Sequence, residues 1–271
     1  MLIDDISKIS KNKIPEVIIV GSGPAGISLA LNLEKKKVNC LILEAGEKEV
    51  SYASQDFYEG EVIGLWPKDL TALRLRQFGG TTGHWGGSCR TLDSYDFDKW
   101  PINKNDLDKY LDQASEILNI KKGPFIDQIV TDEIKKIEWR TSDVRFYEKY
   151  FNQIVKSKNI FLALNTSLLN FNFKNNNVSS IICNSKTKKK FKLKTKFYIL
   201  ATGGIENSRI LKWSVFKSKM KLLKDLPIGN YFMEHPWKTV GYAIGSQKKF
   251  IELFKSSATS FAPTQYFIKK K

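Results

Sequence analysis

The sequence predicts an α/β fold organised around a parallel sheet, on three observations. An apolar run, Glu16–Val20, leads into a glycine-rich turn at Gly21–Gly26. Ile27, Ala30, Leu31 and Leu33 then recur at helical spacing up to Glu34-Lys35-Lys36-Lys37. A second apolar strand follows at Val38–Leu43. Strand, turn, helix and strand make a βαβ unit, which implies parallel pairing through a right-handed crossover. A chain of 271 residues is long enough for one large domain or two ordinary ones. With 42% hydrophobic and 12% aromatic residues it can bury a core, which excludes wholesale disorder.

Val17, Ile18, Ile19 and Val20 are β-branched and continuously apolar, as a strand covered on both faces requires. The turn after them, Gly21-Ser22-Gly23-Pro24-Ala25-Gly26, is a GxGxxG, a weak signal in isolation. Its place between a strand and a helix, with Glu44 ending the next strand, makes it a dinucleotide-binding signature and the fold Rossmann-like. Gly21 permits the tight turn, Gly23 lets the backbone approach a pyrophosphate, and Gly26 allows close helix–strand packing. Pro24 and Ala25 open the helix, whose amides and dipole favour phosphate. Glu44 stands 18 residues past Gly26, where a carboxylate accepts the hydroxyls of an adenosine ribose. A 2′-phosphate would be repelled there, so NADP is disfavoured.

Residues 47–75 read as loop-rich, and Gly79–Gly87 is a second glycine-rich stretch. Asn103-Lys104-Asn105-Asp106 can cap a helix bearing Leu107, Tyr110, Leu111, Ala114, Ile117 and Leu118. A further helix is expected at Asp143–Ser157. Four strands are expected at Ile160–Leu164, Ser167–Phe173, Val178–Cys183 and Phe191–Leu200, with a turn at Asn175-Asn176-Asn177. The last three suggest a β-meander. A third glycine turn, Ala201–Gly204, leads into a helix at Glu206–Trp213, and Gly241–Gly245 lies in a strand-like run.

Charge is unevenly divided. Residues 1–185 hold 24 basic and 24 acidic side chains, whereas residues 186–271 hold 20 and 4, which accounts for the whole net charge of +16. The densest run, Lys186–Lys196, reads either as a patch for nucleic acid or an anionic membrane or as an edge strand kept soluble by lysines. Lysine outnumbers arginine 38 to 6, which favours the second reading and makes a nucleic-acid partner the weaker alternative. Cys40, Cys89 and Cys183 are far apart, so neither a disulfide framework nor a cysteine-built metal site is expected, and no metal is assigned. No apolar run approaches the roughly 18 residues of a membrane span. No secretory signal is read at Met1–Lys8, and a cytoplasmic location is expected.

The stretch Gly79-Gly80-Thr81-Thr82-Gly83-His84-Trp85-Gly86-Gly87 joins bare backbone to polar donors. Here the sequence resembles the glucose–methanol–choline (GMC) family of flavin-dependent oxidoreductases, and within it the pyranose 2-oxidase and gluconate–fructose dehydrogenase branch. The matching stretches are Gly21–Gly26, Glu44-Ala45-Gly46, Arg76–Gly87, Trp100-Pro101-Ile102, Ala201–Arg209 and Gly229–Pro236, in the family's order. The resemblance implies FAD as the cofactor and an alcohol or sugar as the substrate. It implies cofactor contacts at Arg76, at Gly79, Gly80, Thr81 and Thr82 beside the pyrophosphate and ribityl chain, and at Gly86 and Gly87. It sets His84 and Trp85 beside the isoalloxazine ring, His84 either bonded covalently to the flavin or hydrogen-bonded beside it. Ala201, Thr202 and Gly203 match the turn that returns to the pyrophosphate, and Ser167 and Leu168 offer backbone groups to the adenine. His235 matches the family's His-Pro, near the flavin or at the domain junction. Tyr231 departs from the family asparagine and Glu234 from its aspartate.

The resemblance divides the chain into an FAD-binding domain at 1–236, with inserted helices near 103–157, and the truncated beginning of a mixed-sheet substrate domain at 237–271. No histidine follows His235, so the family's catalytic pair is not found and no catalytic residue is assigned. A truncated chain, a non-catalytic remnant and half of a split enzyme with a separately encoded C-terminal part all fit that pattern.

Overall fold

The computed structural model describes residues 1–3, 6, 15–64, 69–129, 132, 134–187, 189–218, 226–233 and 266–268. The chain divides into two compact units: residues 1–85 with 145–235, and residues 86–144 with 236–271.

The first unit is built on a five-stranded sheet in the order Leu2–Ile3, Ile160–Ala163, Cys40–Leu43, Val17–Val20, Phe197–Leu200. Every pairing is parallel. Val17–Val20 and Cys40–Leu43 are buried throughout, as their unbroken apolar sequences require. Helix Pro24–Lys35 connects these two strands and buries Gly26, Ile27, Ala30 and Leu31. The α/β, parallel-sheet expectation therefore holds. Leu2–Ile3 is an edge strand of two residues, too short to leave a periodic pattern.

An antiparallel meander follows: Ser167–Lys174, Asn177–Asn184 and Lys190–Leu193. Asn175 and Asn176 take φ of 49° and 60°, the left-handed pair that a tight hairpin demands. Ile18, Val20, Leu41 and Leu43 form one buried cluster with Phe171, Ile181 and Ile210, so meander and helix Gly204–Ser218 pack against the parallel sheet.

Three sequence expectations are corrected here. Phe191–Leu200 is two strands in different sheets, because the chain leaves the meander after Leu193 and joins the parallel sheet at Phe197. Thr195 fixes the crossing: its hydroxyl donates to the Pro15 carbonyl at 2.6 Å and its amide to the Tyr198 hydroxyl at 3.0 Å. The helix expected after Asn103 is broken into Lys104–Asp108 and Leu111–Leu118 at Tyr110, whose ψ is 0°. The helix expected at 143–157 is likewise Phe146–Lys149 and Phe151–Lys156, parted at Tyr150. The Gly241–Gly245 strand and the boundary expected at 236–237 lie outside the described residues.

The second unit has a small antiparallel sheet in which Ile134–Lys136 pairs with both Gln128–Ile129 and Tyr266–Ile268. Arg140 ties several of its described segments together. The guanidinium donates to the carbonyls of Lys121, Gly123 and Pro124, pairs with Glu138, and lies 4.0 Å from the Phe125 ring.

Candidate functional site

Glycines set the geometry of the sheet's carboxyl edge. Gly21 leaves the first strand at φ +100°, and a Cβ there would stand 2.4 Å from the Ala201 carbonyl oxygen. No other residue tolerates both the dihedral and the approach. A Cβ on Gly26 would meet the Gly21 carbonyl at 2.0 Å, so helix and turn are in direct contact. Gly23 differs from both. It caps the helix at φ −68°, and a Cβ on it would have nothing within 4 Å. The protein leaves that space open at the helix start, where the amides and dipole favour an anion.

The second glycine turn closes over the first. Gly80 lies against Gly23, with the Gly23 Cα 3.1 Å from where a Gly80 Cβ would be. The Gly79 amide donates to the Ser22 carbonyl at 3.0 Å. Thr82 is buried, and its hydroxyl donates to the Gly79 carbonyl at 2.7 Å and accepts from the Phe146 amide at 3.3 Å. That hydroxyl serves the turn itself, whereas Thr81 is exposed. His84 is exposed and lines a pocket of about 610 Å³ with Lys48, Gln77, Gly83, Tyr147 and Phe151.

Glu44 ends its strand beside these turns and is only 6% exposed. Its Oε2 accepts from the Ser22 amide at 3.0 Å and the Ser22 hydroxyl at 2.6 Å, and its Oε1 accepts from the Gly46 amide at 2.7 Å. Burial pushes its carboxyl above the usual range, while the Ser22 and Gly46 bonds and the Arg76 charge pull it back. A carboxylate oxygen has two acceptor directions, and the Gly46 amide takes one of the two on Oε1. Ser22, an unspecified position of the motif, is thus the principal partner of Glu44, and no sequence signal marked it.

Arg76 reaches across the same edge. Its guanidinium donates to the Ser54 hydroxyl at 2.7 Å and the Ser167 hydroxyl at 2.8 Å, and burial depresses its pKa. Its carbonyl lies against Gly46, where a Cβ would stand 2.0 Å away. Arg74 pairs with Glu206 at 3.1 Å and covers the Tyr58 ring at 3.9 Å. Burial, then the Glu44 charge, pushes the Tyr58 hydroxyl up to about 12.

Gly21, Gly23, Pro24, Ala25, Gly26, Glu44, Ala45, Arg76, Gly79, Gly80, Ser167 and Ala201 gather along this edge. Thr202 is held in its turn by Asn207, which accepts from the Thr202 amide at 2.9 Å and its hydroxyl at 2.7 Å. Gly203 follows at φ +84°. The Leu168 side chain is buried in the core cluster. Gly86 and Gly87 belong to the second unit, where Gly87 packs against Ser142. His235 lies outside the described residues. Tyr231 adopts φ 59°, a conformation that asparagine takes more readily.

Against this geometry, residues 16–55 match the sequence model of a family described as FAD binding domain. No curated protein matches the chain. Among solved structures, formate oxidase aligns at 14% identity and a TM-score of 0.50, over 74% of this chain and 47% of that one. Pyridoxine 4-oxidase from Mesorbium loti aligns at 14% identity and a TM-score of 0.49, over 72% of this chain and 50% of that one. The chain therefore spans about half the length of each. The matched strand–turn–helix–strand contains the open space at Gly23 and ends in Glu44, and the match assigns FAD as the cofactor of this flavoprotein.

Proposed function

We propose that this chain supplies the FAD-binding part of an oxidoreductase that acts on CH–OH groups of an alcohol or sugar. The observation that carries the reading is the open space at Gly23, closed on one side by Gly80, at the start of the Pro24–Lys35 helix. Gly21–Gly26 with Gly79 and Gly80 would hold the pyrophosphate, and Glu44 the adenosine ribose through the free direction on Oε1. His84 and Trp85 would border the flavin ring, with the pocket beside His84 as its approach. Flavin, when bound, supplies the acceptor for hydride leaving the substrate carbon. The protein's part is to fix the ring through the glycine turns and to keep phosphate charge on backbone amides instead of in water.

The alcohol or sugar class rests on the six family-like stretches, and the assignment of the ring to His84 on the Gly79–Trp85 stretch. Both a covalent and a non-covalent flavin suit an exposed histidine at this place. Acid precipitation of the flavin-loaded protein separates them: flavin retained in the pellet means a covalent bond. Gly23→Val tests the site itself. The φ of −68° and the empty surroundings admit a valine without disturbing the fold, so purified variant should melt like wild type but carry no flavin. Undiminished flavin content in a folded Gly23→Val protein would remove the proposal.

A further inference from the structure

Among the described residues, every buried polar side chain except Ser115 and Gln77 holds a hydrogen bond. The Ser115 hydroxyl is sealed from solvent. Gln77 differs: it is only 4% exposed, yet it lines the pocket of about 610 Å³ that His84 also lines. A buried amide left unpaired is costly, and this one brings two N–H donors and a carbonyl acceptor to the wall of a cavity.

The surrounding chain fixes Gln77 there. Its backbone bridges to Glu47, and its carbonyl accepts from the Gly80 amide at 3.0 Å. Gly83 has no side chain where the Gln77 Nε2 lies, and a Cβ at that position would overlap it. Gln77 thus enters the second glycine turn, and His84 leaves it. Charges on the pocket wall disfavour an anionic ligand: Lys48 lies 3.6 Å from Glu49, and Glu148, which accepts from Tyr147 at 2.7 Å, adds a second carboxylate. A purely cationic group would leave the Gln77 donors without an acceptor. Two adjacent hydroxyls match the amide, one accepting from Nε2 and the other donating to Oε1, whereas a lone hydroxyl leaves one of these atoms unpaired. Phe151, held edge-on against Phe78 at 5.3 Å, and Leu75 supply apolar surface for the CH groups of such a ligand. The volume suits a molecule of sugar size.

We propose that this pocket binds neutral polyols and that Gln77 is its specificity-determining residue, taking two adjacent hydroxyls of the ligand. The proposal deepens the flavin reading, on which it rests for the ligand's being the substrate, and it favours polyols over monohydric alcohols.

Ligand-observed NMR titrations of the full chain, with and without FAD, test it. The probes are D-glucose, D-xylose, myo-inositol and glycerol, with cyclohexanol as a ring that bears one hydroxyl. Wild type should bind at least one polyol saturably and more tightly than cyclohexanol. Gln77→Met, close to glutamine in shape, should weaken that polyol about 10- to 100-fold and leave cyclohexanol unchanged. The ligand-free variant should melt no lower than wild type, because an unpaired amide has left the interior. No saturable polyol binding by wild type overturns the proposal, as does equal polyol affinity in wild type and Gln77→Met. Weaker FAD binding by Gln77→Met in the absence of polyol also overturns it, since the amide then serves the flavin. Polyol binding by a wild type that takes up no FAD removes the flavin reading and leaves the polyol site standing.

Discussion

Individual glycines in the first turn carry different duties, and valine scanning should separate them. Gly21→Val and Gly26→Val place a side chain 2.4 Å and 2.0 Å from backbone carbonyl oxygens, so each should destabilise the fold, by about 3 kcal/mol or more. Gly23→Val meets nothing and should lose flavin alone. Denaturant midpoints beside flavin-to-protein ratios check the contrast; equal destabilisation at all three positions would refute it. Glu44 makes a second prediction at this scale. Its carboxyl titrates above the unfolded value, so the native state binds the extra proton and stability falls as pH rises from the ordinary carboxylate range through that raised value. Melting temperatures across that range should show the slope in wild type and not in Glu44→Gln. The glycines and Glu44 were legible in the sequence because each answers a steric or charge requirement that few residues meet. Ser22 was not, because its role arises from what the fold brings beside it.

Secondary-structure elements were legible where local sequence decides. The asparagine turn and the two all-apolar strands are of that kind. The split of Phe191–Leu200 was not, since its alternation runs through Thr195 without a break and it is the long-range bond to Pro15, beside a local one to Tyr198, that marks the division. Lys190–Leu193 is consequently an edge strand, with Lys190 and Lys192 exposed, as the solubilising reading of the lysine run expects. In the second unit, Arg140 joins the Lys121–Pro124 turn to the short strand Arg140–Thr141. Arg140→Met should cost about 2–4 kcal/mol locally, because several charge-assisted bonds go at once. Hydrogen exchange over residues 121–125 is the measurement. Exchange as slow as in wild type would mean that the turn holds without the guanidinium.

At the scale of the whole chain, the net charge of +16 acts on stability through self-repulsion. Some lysines are locally balanced, such as Lys186 against Glu47 at 3.0 Å, but the excess is far larger than these pairs. Raising ionic strength from about 10 to about 150 mM shortens the screening length from about 30 to about 8 Å and should raise the melting temperature. A flat response would show that the charges are compensated where they stand. Fold class was legible at this scale because one βαβ unit with a Gly-rich turn fixes the hand and direction of the sheet. The division into two units was not, since the second begins at Gly86, inside a glycine stretch that reads as continuous.

The strand Val17–Val20, one place in from an edge of the parallel sheet, has one neighbour close in sequence, Cys40–Leu43, and another, Phe197–Leu200, some 180 residues on. On a ribosome adding roughly 5–20 residues per second, the far side of that strand waits about 10–40 s for its partner. During that time an unpaired, wholly apolar edge is held next to nascent chain. The interval is long enough for a holdase to matter, and expression at reduced temperature with a co-produced chaperone should decide how much protein reaches the folded state.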